Sequence, residues 1–219
     1  MTIDAVVIEP PAEANAAVIW LHGLGDSGDG FAPIVPAFNL GGAHGIRFVF
    51  PNAPEQAVTI NNGYIMRSWY DIKSMNLLER ADLAGVLESE KRVRALIEDQ
   101  IAKGIPSERI ILAGFSQGGV MTLFTALRLE YKLAGVLALS CYLPGGDKLP
   151  DSLHEANKET PILQMHGEQD DVVPKSAGLL ANHALVQGGY RSSWLTYPMG
   201  HSVHPEQIVA IRNWLMTRF

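Results

Sequence analysis

Ser116 lies at the centre of Gly114-Phe115-Ser116-Gln117-Gly118, directly after the apolar run Ile110-Ile111-Leu112-Ala113 and directly before a helical pattern. A serine hydroxyl is a poor nucleophile at neutral pH, and it reacts only when a base reaches it and a third group orients that base. A tight strand-to-helix turn serves that chemistry. It lifts the hydroxyl clear of its own backbone, and glycines two residues to either side admit the close approach of neighbouring chain. The start of the following helix adds unpaired N–H groups and the positive end of a dipole, both suited to a developing oxyanion. Gly-x-Ser-x-Gly alone also describes ordinary glycine-rich loops. The strand before it and the helix after it make acyl transfer through Ser116 the expectation.

In folds organised around such a turn the partners follow in the chain order Ser, then Asp or Glu, then His. The base is therefore sought among His154, His166, His183, His201 and His204. His201 follows a predicted strand, Ser193 to Thr196, through the short turn Tyr197-Pro198-Met199-Gly200, and it is the best placed of the five. His204 falls where the final helix should begin and reads as a cap or surface residue. His183 sits in a helical pattern, and His154 in a polar loop with no strand before it. His166 ends the predicted strand Pro161 to Met165, and Gly167-Glu168-Gln169-Asp170-Asp171 after it can deliver a carboxylate to the same rim. Asp170 is the expected acid, holding the imidazole in one tautomer and stabilising its protonated form. Asp171 is the alternative, and its other reading is a cap for the helix after Pro174.

Acyl transfer also requires N–H donors aimed at the oxyanion, each worth about 3 kcal/mol. One is the backbone amide of Gln117, next to the nucleophile. The second should come from the loop after an early strand. Val18-Ile19-Trp20-Leu21 leads into His22-Gly23-Leu24-Gly25-Asp26, and Leu24 is the expected donor, with Gly23 second. His22 precedes Ser116, against the chain order, and reads as a residue that shapes this loop. Gly23-Leu24-Gly25-Asp26-Ser27-Gly28 is not read as a dinucleotide fingerprint, and no phosphate site is implied.

Elements able to position these residues are legible in the hydropathy pattern. Short, often β-branched runs at Ala5 to Ile8, Ala17 to Leu21, Ile46 to Phe50, Arg109 to Ala113, Ala134 to Leu139, Pro161 to Met165 and Ser193 to Thr196 alternate with helical patterns. That rhythm predicts βαβ units on a mostly parallel sheet. Leu83, Val86, Leu87, Val93, Leu96, Ile97 and Ile101 form one predicted helical face, with Glu90, Lys91, Arg94 and Glu98 on the rest. Further helices are predicted around Val120 to Leu127 and after Pro205. Asn52 to Leu78 is the least regular stretch, with Ala57 to Ile60 as a short extra strand, and it reads as a binding loop. No repeat or polar linker divides the chain, so residues 1–219 are expected to form a single α/β domain. With the nucleophile turn, the expected architecture is an α/β-hydrolase fold with helices on both faces of the sheet and no large lid domain.

Composition narrows the class. With 47% hydrophobic and 18% charged residues the chain is an ordinary globular one, and a net charge of −6 without long single-sign runs argues against a nucleic-acid partner. Cys141 is the only cysteine, so no internal disulfide forms, and it reads as a buried small side chain. The N-terminus lacks the basic start and apolar stretch of a secretory signal, and no run approaches a membrane span. A cytoplasmic protein without stable membrane insertion is expected. His201 and His204 stand three apart without a Cys or carboxylate cluster to complete a metal site.

Taken together, Leu21-His22-Gly23-Leu24-Gly25-Asp26, Ser68-Trp69-Tyr70-Asp71-Ile72, Gly114-Phe115-Ser116-Gln117-Gly118-Gly119, His166-Gly167 with Asp170, and Gly200-His201 make the chain resemble the phospholipase/carboxylesterase family of acyl-protein thioesterases and small carboxylesterases. The resemblance covers nearly the whole chain. It implies a triad of Ser116, Asp170 and His201, an oxyanion hole from the backbone of Leu24 and Gln117, and no cofactor. It also implies hydrolysis of carboxylic esters with short to medium acyl chains, with thioesters of acylated proteins or lysophospholipids as the alternative substrates. Trp69 and Tyr70 could line an acyl pocket or anchor their loop in the core, and Met66, Met75, Leu77 and Leu78 could cover an acyl chain or simply pack. An apolar rim would also suit a homodimer contact. A catalytically silent ligand-binding hydrolase fold is the reading from a different class.

Overall fold

The computed structural model describes residues 4–76 and 81–219. Nine strands run as β1 Ala5–Ile8, β2 Ala16–Leu21, β3 Ile46–Pro51, β4 Glu55–Val58, β5 Tyr64–Arg67, β6 Ile110–Phe115, β7 Gly135–Leu139, β8 Ile162–Gly167 and β9 Ser192–Tyr197 among these residues. The helices are α1 Gly28–Phe31, α2 Ile34–Phe38, α3 Leu83–Ala102, α4 Gln117–Arg128, α5 Lys175–Gln187 and α6 Pro205–Met216. All seven expected strands form, within a residue or two of their predicted ends. They make one sheet in the order β1-β3-β2-β6-β7-β8-β9, antiparallel only where β1 meets β3.

Side chains alternate across a strand with period two, and here both faces are covered. Ile19, Leu112, Val136 and Ile162 point into a core shared with α3, α4 and α5. Val18, Ile111, Leu137 and Leu163 point into a second core closed by Phe38 of α2 and by Ile211 and Leu215 of α6. Burial on both sides explains why β2, β6 and β7 read as continuous apolar runs, whereas β9, at the sheet edge, alternates.

Two expectations change. The helix α3 buries Val86, Ser89, Glu90, Val93, Leu96, Ile97 and Gln100, while Leu83 and Leu87 are exposed. Its inner face is thus rotated from the one that apolar counting predicts. Partners make this possible: Ser89 Oγ donates to the Trp69 carbonyl, and Glu90 is paired with Arg94 at 3.0 Å and Arg128 at 3.1 Å. A polar side chain is cheap to bury when its hydrogen bonds are made. In the irregular stretch, β4 lies two residues earlier than the predicted Ala57 to Ile60 and pairs antiparallel with β5, a strand not anticipated. Asn62 and Gly63, both at positive φ, turn the chain between them, and this Asn-Gly pair was the available hairpin signal.

Candidate active site

The site gathers at the carboxyl ends of β2, β6, β8 and β9, where an open parallel sheet presents its loops. Ser116 sits between β6 and α4 at φ 55°, ψ −119°. For a residue with a Cβ this conformation is strained by about 1–3 kcal/mol, and it must be held by its surroundings. The Ser116 N–H donates to Leu139 O at 2.8 Å, and its carbonyl accepts from Val120 N at 3.0 Å. The two flanking glycines are required by space. A Cβ on Gly114 would stand 2.3 Å from Gly118 O, and one on Gly118 would stand 2.2 Å from Leu21 O.

His201 and Asp170 leave β9 and β8 on loops that backbone bonds staple together: Glu168 N donates to Tyr197 O at 2.9 Å, and Gln169 N to Met199 O at 3.0 Å. Gly167 lets the loops cross, since a Cβ there would lie 2.3 Å from Gly200 O. The result is a continuous hydrogen-bonded chain. His201 Nδ1 donates to Asp170 Oδ2 at 2.7 Å, and His201 Nε2 faces Ser116 Oγ at 2.9 Å. With Nδ1 protonated against the carboxylate, Nε2 offers its lone pair to the hydroxyl. Asp170 Oδ1 accepts from Val172 N at 3.0 Å and Val173 N at 2.8 Å. Burial alone would raise the Asp170 pKa, but the bonds from His201 and from the Val173 and Val172 amides outweigh it and hold the carboxyl below its ordinary value.

Asp171, the alternative acid, is exposed, and it does not cap α5 either, because Pro174 holds the cap position without a side-chain bond. The other histidines take structural places. His204 caps α6 in a capping box, His154 Nδ1 accepts from Ala156 N, and His183 is exposed. His22 is fully buried, with Nδ1 against Gly23 O at 2.7 Å and Nε2 accepting from Ala53 N at 3.0 Å. His166 Nε2 lies 2.8 Å from Val173 O and 3.5 Å from Asp170 Oδ2, which ties the acid's loop to β8.

Burial lowers the pKa of both His22 and His166. Protonating His22 would set two donors against each other at Ala53, and protonating His166 would bury an unpartnered Nδ1–H. Both histidines therefore bind protons more readily in the unfolded chain. Stability rises with pH between their folded and unfolded values, so it is lost as pH falls below about 6.5, by up to about 1.4 kcal/mol per pH unit for each histidine. Melting temperature should drop from pH 7 to pH 5. His166→Gln should flatten that slope, and an unchanged slope would contradict this assignment.

A cleft of about 240 Å³ opens beside Ser116 and His201, lined by Gly23, Leu24, Tyr70, Ile72, Phe115, Gln117, Tyr142, Val172 and Val173. The amides of Gly25 and Asp26 are engaged by Arg67 O and Gly23 O, whereas the Leu24 N–H has no partner among the described residues. The Gln117 amide begins α4, where the helix leaves it no internal acceptor. Both are thus free to donate.

Tyr70 lines the cleft, and Trp69 does not. Trp69 is buried, its indole N–H donating to His22 O at 2.9 Å, so it anchors the loop. Met66 is half-buried against Gly25 and Met75 is 74% exposed, and neither lines the cleft. Leu77 and Leu78 lie outside the described residues. Phe115, Tyr142, Val172 and Val173 were not singled out from the sequence. Phe115, inside the Gly-x-Ser-x-Gly motif, and the two valines following Asp170 were within reach by adjacency alone. Cys141 is buried against Gly119, and burial pushes its thiol pKa upward, away from reactivity. Among the described residues no three His, Cys, Asp or Glu side chains gather to hold a metal, and no helix is long and apolar enough to cross a membrane.

Residues 3–218 match the model of the phospholipase/carboxylesterase family. Acyl-protein thioesterase 1 of Neurospora crassa is 39% identical, over 97% of this chain and 91% of that protein. A probable carboxylesterase of Oryza sativa is 36% identical, over 97% of this chain and 83% of its own length. Among solved structures, Arabidopsis thaliana SOBER1 superposes with a TM-score of 0.86 at 35% identity, covering 94% of this chain and 99% of its own.

Proposed function

The chain belongs to the phospholipase/carboxylesterase family, hydrolases of the α/β-hydrolase fold, and from that premise we propose that it is a serine carboxylesterase whose triad is Ser116, His201 and Asp170. The observation that carries the proposal is the run of hydrogen bonds from Asp170 through His201 to the Ser116 hydroxyl, at 2.7 and 2.9 Å. His201 Nε2 takes the hydroxyl proton as Ser116 Oγ attacks the ester carbonyl, and the oxyanion accepts from the amides of Leu24 and Gln117. Collapse of that intermediate breaks the ester C–O bond, and the imidazolium returns its proton to the departing alkoxide. Water, deprotonated by the same nitrogen, then releases the acid from the acyl-enzyme. Asp170, its pKa held low, stays ionised throughout and stabilises the imidazolium.

Short to medium acyl chains suit the cleft. Its volume of about 240 Å³ lies below the roughly 300–1,000 Å³ of sites for drug-sized ligands, and Tyr70, Ile72 and Tyr142 give it an apolar wall. Each methylene buried there contributes about 0.8 kcal/mol, close to fourfold in kcat/KM. Across a series of p-nitrophenyl esters from acetyl to palmitoyl, kcat/KM should climb by about that factor per methylene while the cleft fills, and then level off. Failure to hydrolyse any of these esters would overturn the proposal. A climb continuing to palmitoyl would favour the second reading, an acyl-protein thioesterase using the same triad, which the name carried by the Neurospora crassa relative supports. Matched oxygen and sulfur esters of one acyl group separate the two.

A further inference from the structure

The two proposed oxyanion donors come from different elements, one from the loop after β2 and one from the start of α4, and a single segment touches both. Leu24 lies between glycines, with Gly25 at φ 75°, and its side chain is only partly buried against the core, so the direction of its N–H depends on how the neighbouring peptides are held. Bonds on either side of it do. His22 O accepts from the Trp69 indole at 2.9 Å, and Gly25 N donates to Arg67 O at 2.8 Å. On the other side, both ends of the Gln117 side-chain amide grip the same segment: Oε1 accepts from Trp69 N at 2.8 Å, and Nε2 donates to Tyr70 O at 2.7 Å and Ser68 Oγ at 3.0 Å.

From this arrangement we infer that residues 67–70 form a strap that sets the spacing and aim of the oxyanion hole, with the Trp69 indole and the Gln117 side chain as positioning residues. The inference rests on the reading of Leu24 and Gln117 as the donors. The strap is rigid where it matters. Trp69 is 2% exposed and Gln117 3%, Ser89 Oγ donates to the Trp69 carbonyl, and the Trp69 ring packs on His22 at 5.3 Å between centroids. Every side-chain polar group of Gln117 is spent on the strap, so none reaches toward the substrate. A buried amide fully bonded to one segment specifies the position of that segment.

Misplacing a reacting group by about 1 Å can cost about a hundredfold in rate. Trp69→Phe removes the indole donor while keeping an aromatic ring, and Gln117→Met removes the amide while keeping length and the backbone N–H. Each should lower kcat on an oxygen ester about 10- to 100-fold, with KM within about threefold. The diagnostic substrate is the matching thionoester, in which sulfur replaces the carbonyl oxygen. Sulfur accepts N–H bonds weakly, so that reaction draws little from the oxyanion hole. The parent enzyme should favour the oxygen ester strongly, and in both variants the preference should collapse because only the oxygen-ester rate falls. Equal losses on both substrates, or no loss on either, would overturn the strap while leaving the esterase reading in place. A parent that hydrolyses the ester without preferring oxygen over sulfur would overturn the assignment of the donors, and the strap with it.

Discussion

Ser116→Ala is expected to lower kcat for a small chromogenic ester by about 10⁶-fold, because in the proposed mechanism Ser116 Oγ forms the acyl-enzyme and no neighbouring side chain can replace it. Cys141 cannot substitute, being buried against Gly119 with its thiol pKa raised. The fold should persist. Alanine keeps the Cβ that the backbone already accommodates at φ 55°, and Ser116 N still donates to Leu139 O. The measurement pairs the initial rate with the melting temperature and with labelling by a fluorophosphonate, which should mark the parent at Ser116 and leave the variant unmarked. A variant within tenfold of the parent would remove Ser116 from the chemistry. A parent that the reagent fails to mark would restore the silent binding module as the better reading.

Asp170→Asn should cost about 10⁴-fold in kcat, and the surroundings of the carboxylate say why. Oδ1 accepts from the amides of Val172 and Val173, so the oxygen of the new amide is drawn to that side. Its NH₂ group must then face His201 Nδ1, where the carboxylate oxygen stood at 2.7 Å. A donor facing Nδ1 pushes the imidazole into the tautomer protonated at Nε2, and that nitrogen can no longer accept the Ser116 proton. The imidazolium also loses its compensating charge. Asp171→Asn, one position along but exposed, should stay within about twofold of the parent. The comparison of kcat between these two variants checks the assignment, and equal losses would contradict it.

Much of this site could be read from residue order. Ser116, Asp170 and His201 each stand a few residues beyond the end of an apolar run, because a parallel sheet carries its functional loops at the carboxyl ends of its strands. The runs are short, β-branched and uninterrupted, since the central strands are buried on both faces, and that composition survives in the linear text. Family membership was legible for the same reason: the motifs crowd where backbones nearly touch, and there Gly114, Gly118 and Gly167 admit no side chain.

What the linear pattern could not resolve were roles that depend on a partner distant in sequence. Trp69 was equally open to lining a pocket or anchoring a loop, and the choice was made by His22 O and Gln117 Oε1, 47 and 48 positions away. The buried face of α3 differs from the predicted one at Leu83, Leu87 and Glu90 because hydropathy counts Glu90 as outward, whereas Arg94 and Arg128 pair with it in the interior. By itself the sequence determined the order of elements and the strand–turn–helix around Ser116, and it singled out Asp170 and His201, the side chains hydrogen-bonded in series to Ser116, since these readings rest on local periodicity and on steric rules that act within a few residues. Only the tertiary structure decided which side chains bound the cleft beside Ser116 and how the 67–70 segment bridges the loop after β2 and the start of α4. Those contacts arise from packing between loops that share one rim of the sheet but lie far apart along the chain.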